Sequence, residues 1–110
     1  MEMTWETFLG YLSQTRNRGE WYLDGHSLRF RDLNSSREYC PVTAIVPIVL
    51  GDDASYFTPW QWEAAAEAIG LPYRLASNIV SAADYDADTS SQALRRELLA
   101  VLGLEDRIAV

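Results

Sequence analysis

The chain has 110 residues, 48% of them hydrophobic, and its nine arginines stand against 16 acidic residues for a net charge of −7. That length supplies one domain, residues 1–110, and a single cysteine excludes both an intrachain disulfide scaffold and a cysteine-based zinc site. With no apolar run near the ~20 residues of a membrane span, no signal-peptide pattern in Met1-Glu2-Met3-Thr4 and a surface that repels phosphate, the expectation is a cytoplasmic protein with no membrane partner and with nucleic acid disfavoured. The absence of lysine removes Schiff-base chemistry and any P-loop lysine.

Trp5, Phe8, Leu9 and Leu12 lie at i, i+3, i+4 and i+7, one apolar stripe of a helix. Thr4 is its N-cap, Met3 and Phe8 form a hydrophobic staple, and Asn17-Arg18-Gly19 stops it. A β-hairpin follows, with Asp24-Gly25 as its two-residue turn. That register sets Trp21 opposite Leu28 and Glu20 opposite Arg29, with Leu23 and Phe30 on Trp21's face. Arg37 to Cys40 can add a short third strand. Pro41 to Leu50 is almost continuously apolar and therefore buried; Pro41 suits the first turn of a helix and Pro47 kinks it, although the β-branched residues also favour a strand.

The second half reads as helical. Thr58-Pro59-Trp60-Gln61 is a capping box with proline at N1, and Phe57 can staple against Trp62. Trp62, Ala65, Ala66 and Ile69 form the buried stripe, and Gly70-Leu71-Pro72 ends the helix. A second helix spans about Tyr73 to Ala83 and a third about Gln92 to Leu102, closing on Gly103-Leu104 with the same stop signal. The expected fold is α+β: an N-terminal helix, a hairpin or small antiparallel sheet, and a helical C-terminal half packed on it.

Few constellations carry chemistry. Asp84, Asp86 and Asp88 open like a calcium loop, but Thr89 replaces the turn glycine and Arg95 stands where the bidentate glutamate belongs, so metal is disfavoured. Ala66, Gly70, Ala76 and Ile79 have helix-turn-helix spacing, with Arg74, Ser77 and Asn78 on the recognition helix, but the acidic surface opposes DNA. Cys40 at a helix start and His26 after a hairpin turn are the sole candidates for a nucleophile and base, and nothing in the sequence brings them together. No enzyme activity and no cofactor are expected. The aromatic content is more informative: Tyr56, Phe57, Trp60 and Trp62 cluster beside Asp52 and Asp53, and large aromatics anchor binding hot spots and pockets.

Cys40-Pro41-Val42-Thr43-Ala44, Ile79-Val80-Ser81-Ala82-Ala83-Asp84 and the Leu94-Arg95-Arg96 helix ending Leu102-Gly103-Leu104 give the chain a resemblance. It resembles a type of small bacterial and phage protein to which no activity is attached. The resemblance covers most of the chain through short apolar motifs. It implies a binding protein that sequesters or inhibits, and it carries over no catalytic residue. The leading expectation is thus a non-enzymatic acidic module that docks a protein partner through aromatic anchors. A small-molecule binder, in which a homo-oligomer closes the pocket, and a helix-turn-helix regulator are the alternatives.

Overall fold

Thr4 starts the first helix as its side chain dictates. The computed structural model describes residues 2–33, 37–51, 57, 58, 60–84 and 89–104, side chains excepted at 89–91. In it α1 runs Trp5–Gln14, and Thr4 Oγ1 accepts the Thr7 N–H at 3.2 Å, satisfying one of the orphan amides of the first turn. Met3 and Phe8, on either side of the cap, are both buried. The helix tightens into a 3-10 turn, Thr15–Asn17, whose fully buried Thr15 hydroxyl donates to Leu12 O at 2.5 Å and accepts Trp21 Nε1–H at 2.7 Å. One threonine thereby fastens the end of α1 to the first strand.

Three strands, β1 (Gly19–Asp24), β2 (Ser27–Asp32) and β3 (Glu38–Tyr39), form an antiparallel sheet in that order. The hairpin turn is Gly25-His26, not Asp24-Gly25, so Trp21 pairs with Phe30 and Glu20 with Arg31. The reason is conformational. A primed turn needs positive φ at its first loop residue, and Gly25, at φ 63°, takes it without the penalty Asp24 would incur. Moving the turn by one residue slides each partner by two, which leaves every side chain on its original face. Trp21, Leu28, Phe30 and Tyr39 are accordingly buried, with the Trp21 and Phe30 rings 5.0 Å apart. Arg31 lies 4.8 Å from the Tyr22 ring centre and 3.6 Å from the Glu38 carboxylate.

The apolar run after β3 is helical and broken, as its prolines require: α2 is Pro41–Ala44 and α3 is Val46–Leu50. Pro47 has no N–H to give the Thr43 carbonyl. Bonding resumes one residue later, where the Ile48 and Val49 amides both donate to Ile45 O at 3.0 Å.

The remaining helices are α4 (Trp62–Ile69), α5 (Tyr73–Ala83) and α6 (Thr89–Val101). α4 begins three residues later than a helix with Pro59 at N1 would. The capping box forms only its return half: Gln61 Oε1 accepts the Thr58 N–H at 3.0 Å, while the Thr58 hydroxyl has no hydrogen-bond partner among the described residues. The chain therefore makes a turn, closed by Gln61 N–H to Thr58 O at 2.9 Å, before the helix proper. α6 starts three residues earlier than about Gln92. At the end of α4, Gly70 adopts the left-handed conformation (φ 77°, ψ 22°) and the Leu71 amide reaches back to Ala66 O at 2.9 Å, a Schellman cap. The end of α6 repeats it, with Leu104 N–H on Leu99 O at 2.7 Å.

Arg95 links three elements. From α6 its Nη1 donates to the Ala82 and Ala83 carbonyls at 2.7 and 3.1 Å, and its Nη2 to His26 O at 2.8 Å. The residue that breaks the calcium-loop pattern thus satisfies the last carbonyls of α5 and holds the hairpin tip. Phe8, Leu12, Leu28, Tyr39, Ile45, Ile79, Leu98 and Leu99 are all but inaccessible and belong to one core cluster. The fold is α+β, with helices packed on a three-stranded sheet. Among the described residues, no helix is long and apolar enough to cross a membrane.

Candidate functional site

Strand alternation turns Arg29 away from the buried face that carries Leu28 and Phe30. Its Nη1 donates to Leu28 O at 3.0 Å and to Asp84 Oδ1 at 2.9 Å, so the guanidinium is fixed to the residue that terminates α5. Cys40 follows β3 and occupies the N-cap of α2, where its Sγ lies 3.3 Å from the Thr43 hydroxyl. The Thr58–Gln61 turn carries Trp60, and Trp62 opens α4. These pieces meet. Arg29, Cys40, Trp60, Trp62, Val80 and Asp84 line an open cleft of about 340 Å³.

The lining is mixed in chemistry. Trp60 is 77% exposed, the largest exposure of any large apolar side chain described. Trp62 is half-buried, with its ring 5.6 Å from that of Tyr73, itself exposed. Of the other lining residues, the Arg29 side chain is 25% exposed and that of Asp84 46%, an ion pair partly withdrawn from water. Apart from the cleft, Tyr22 has its pKa raised above the ordinary 10.0, first by burial and then by the neighbouring Glu38 carboxylate, against the opposing pull of Arg31.

Three candidates that sit apart in the sequence, the Trp60–Trp62 aromatics, Asp84 and Cys40, share this one cleft. Phe57 does not line it; it is half-buried and packs against the core, and because α4 starts at Trp62 the two residues are not at the N′ and N4 positions of a staple. Tyr56, Asp52 and Asp53, like Asp86 and Asp88 of the acidic run, lie outside the described residues. Among the described residues no group of three or more His, Cys, Asp or Glu side chains gathers as a metal site would. On α5, Arg74 is exposed while Ser77 and Asn78 are half-buried. His26 sits at the hairpin tip, its carbonyl held by Arg95.

Arg29 is the site residue that sequence reasoning missed. An arginine alternating with Leu28 and Phe30 reads as an ordinary solvent-facing strand position, and the only signal for its role is 55 residues away at Asp84. Comparison with protein-family models, with curated proteins and with solved structures finds no match. The site is therefore read from its own geometry: an acidic α+β protein with a cleft lined by two tryptophans and an ion pair.

Proposed function

We propose that the protein is a non-enzymatic binding module that docks a protein partner through Trp60 and Trp62, with its acidic surface steering the encounter. The observation that carries this reading is the 77% exposure of Trp60 at the mouth of the cleft. An indole left in water stabilises nothing in the fold. Covering it removes roughly 150 Å² of surface, worth ~4 kcal/mol before the costs of association. That gross value is enough for a hot spot, where tryptophan is over-represented. The net charge of −7 favours a partner with a basic face and speeds encounter with it at low salt. In this reading the protein works in the cytoplasm, where its single thiol stays reduced.

The volume of the cleft supports a second reading. About 340 Å³ lies within the range of small-ligand sites, so a sequestered small molecule competes with a partner side chain for the same space. Native mass spectrometry on protein recovered gently from its cells of origin separates the two. A second protein at fixed stoichiometry, absent from the Trp60→Ala variant, supports the docking module. A small excess mass on the chain or its homo-oligomer supports the ligand binder. A bare monomer from wild-type cells overturns the docking reading.

A further inference from the structure

Resting on the docking reading, we infer that the group the cleft receives is the side chain of an arginine in the partner. Asp84 gives one oxygen, Oδ1, to Arg29 and, among the described residues, keeps Oδ2 for another donor. Arg29 divides a single nitrogen, Nη1, between that oxygen and Leu28 O, so Asp84 already balances its charge, while Nε and Nη2 have no further acceptor among the described residues. What the cleft offers to an incoming group is thus a carboxylate oxygen and an open indole.

This pairing selects among chemistries. An anion that took the remaining Arg29 donors would sit beside the Asp84 carboxylate in a protein of net charge −7, whereas a cation, although it meets Arg29 in its turn, gains both the indole face and that net charge. A neutral planar group stacks on Trp60 but leaves the Asp84 oxygen stripped of water and unpaired, which costs free energy. A cation satisfies both groups. The tryptophan face is the strongest aromatic partner for a cation, and the carboxylate supplies a charge-assisted hydrogen bond. Guanidinium does this better than ammonium, because a planar fork stacks face-on against the indole while donating edge-on to the carboxylate. Arg29 and the incoming arginine then share Asp84 between them, a carboxylate having acceptor sites for both.

The test uses four blocked pentapeptides that differ only at the central residue: arginine, citrulline, lysine and norleucine. Binding is followed at low salt by the indole N–H nuclear magnetic resonance signals of Trp60 and Trp62, with Trp21 as the buried reference. The arginine peptide is expected to shift the two cleft signals and to bind about tenfold more tightly than its neutral isostere, citrulline. Added salt should erode that margin. Trp60→Ala should weaken arginine binding about tenfold. Asp84→Asn should abolish the preference over citrulline. Because it also unpairs Arg29, its fold is checked by the Trp21 signal, and Trp60→Ala stands alone if it fails.

Equal binding of arginine and citrulline overturns the arginine assignment and leaves the docking module standing. Silence of Trp60 and Trp62 with all four peptides also overturns it; the docking module falls with it only if native mass spectrometry finds no partner. Concentration-dependent protection of Trp60 with no peptide added assigns the cleft to a second copy of the chain and overturns the proposal as well.

Discussion

Replacing Arg95 by methionine keeps the length of the side chain and removes its charge and its donors. Three carbonyls then lose the donor that Arg95 supplies: Ala82 O and Ala83 O at the C-terminus of α5, and His26 O at the hairpin tip. A charged donor contributes ~1.5–3 kcal/mol per hydrogen bond when fully screened from water. Arg95 is half-buried, so water partly replaces it, and each bond is better taken at ~1 kcal/mol. The positive charge at a helix C-terminus adds ~0.5 kcal/mol. The sum predicts a loss of about 3.5 kcal/mol, which for a chain this size lowers the melting temperature by more than about 10 °C. Urea unfolding followed by far-ultraviolet circular dichroism measures it, with an unchanged slope showing that the folded and unfolded states are otherwise alike. Arg95→Lys restores the charge but has no fork to span the three acceptors, and should recover less than half. A methionine variant within ~0.5 kcal/mol of wild type would refute the reasoning, since water would then be serving all three carbonyls.

Gly19→Ala places a Cβ 2.2 Å from Arg31 O and 2.6 Å from the Phe30 ring, so β1 must shift away from β2. The expected loss is about 2–3 kcal/mol, read by the same urea titration. Trp60→Ala, in contrast, should change stability by less than ~0.5 kcal/mol, because the side chain is 77% exposed; a larger loss would make Trp60 part of the core. Trp21→Phe keeps an aromatic ring but removes the pyrrole half of the indole, which leaves a small cavity and Thr15 Oγ1 without its donor, and should cost about 2–3 kcal/mol by thermal or chemical denaturation. The raised pKa of Tyr22 gives stability that is present in full below the ordinary value of 10.0 and is lost as the pH climbs past it, since the unfolded chain ionises first. Alkaline unfolding should therefore set in at higher pH for Tyr22→Phe than for wild type.

Elements governed by local chemistry were the ones legible from sequence. Thr4, Gly70, Gly103 and Pro47 each act on their own turn, and each does what its side chain or its missing N–H requires. The hairpin register was harder to read, because Asp24-Gly25 and Gly25-His26 bury the same side chains; only the φ of one residue separates them. The start of α4 was harder to read because Gln61, whose side chain returns to the Thr58 amide, stands at the N-cap position itself and gives the helix no side-chain cap. The cleft itself is a long-range object. Trp60 and Trp62 stand out in the sequence by their size, but Arg29, Cys40 and Asp84 join them only through the packing of β2, α2 and α5.

The burial of Cys40 has a practical consequence. It is the chain's single thiol, 5% exposed, and it borders the cleft from the start of α2. A thiol reagent reaches it only when α2 or its neighbours part, so the rate of labelling reports the free energy of that opening without an engineered probe. Anything that settles in the cleft stabilises the closed form and slows the reaction in proportion to its occupancy. The native cysteine is thus a clock for the motions of the site, readable by intact-mass measurement on unmodified protein.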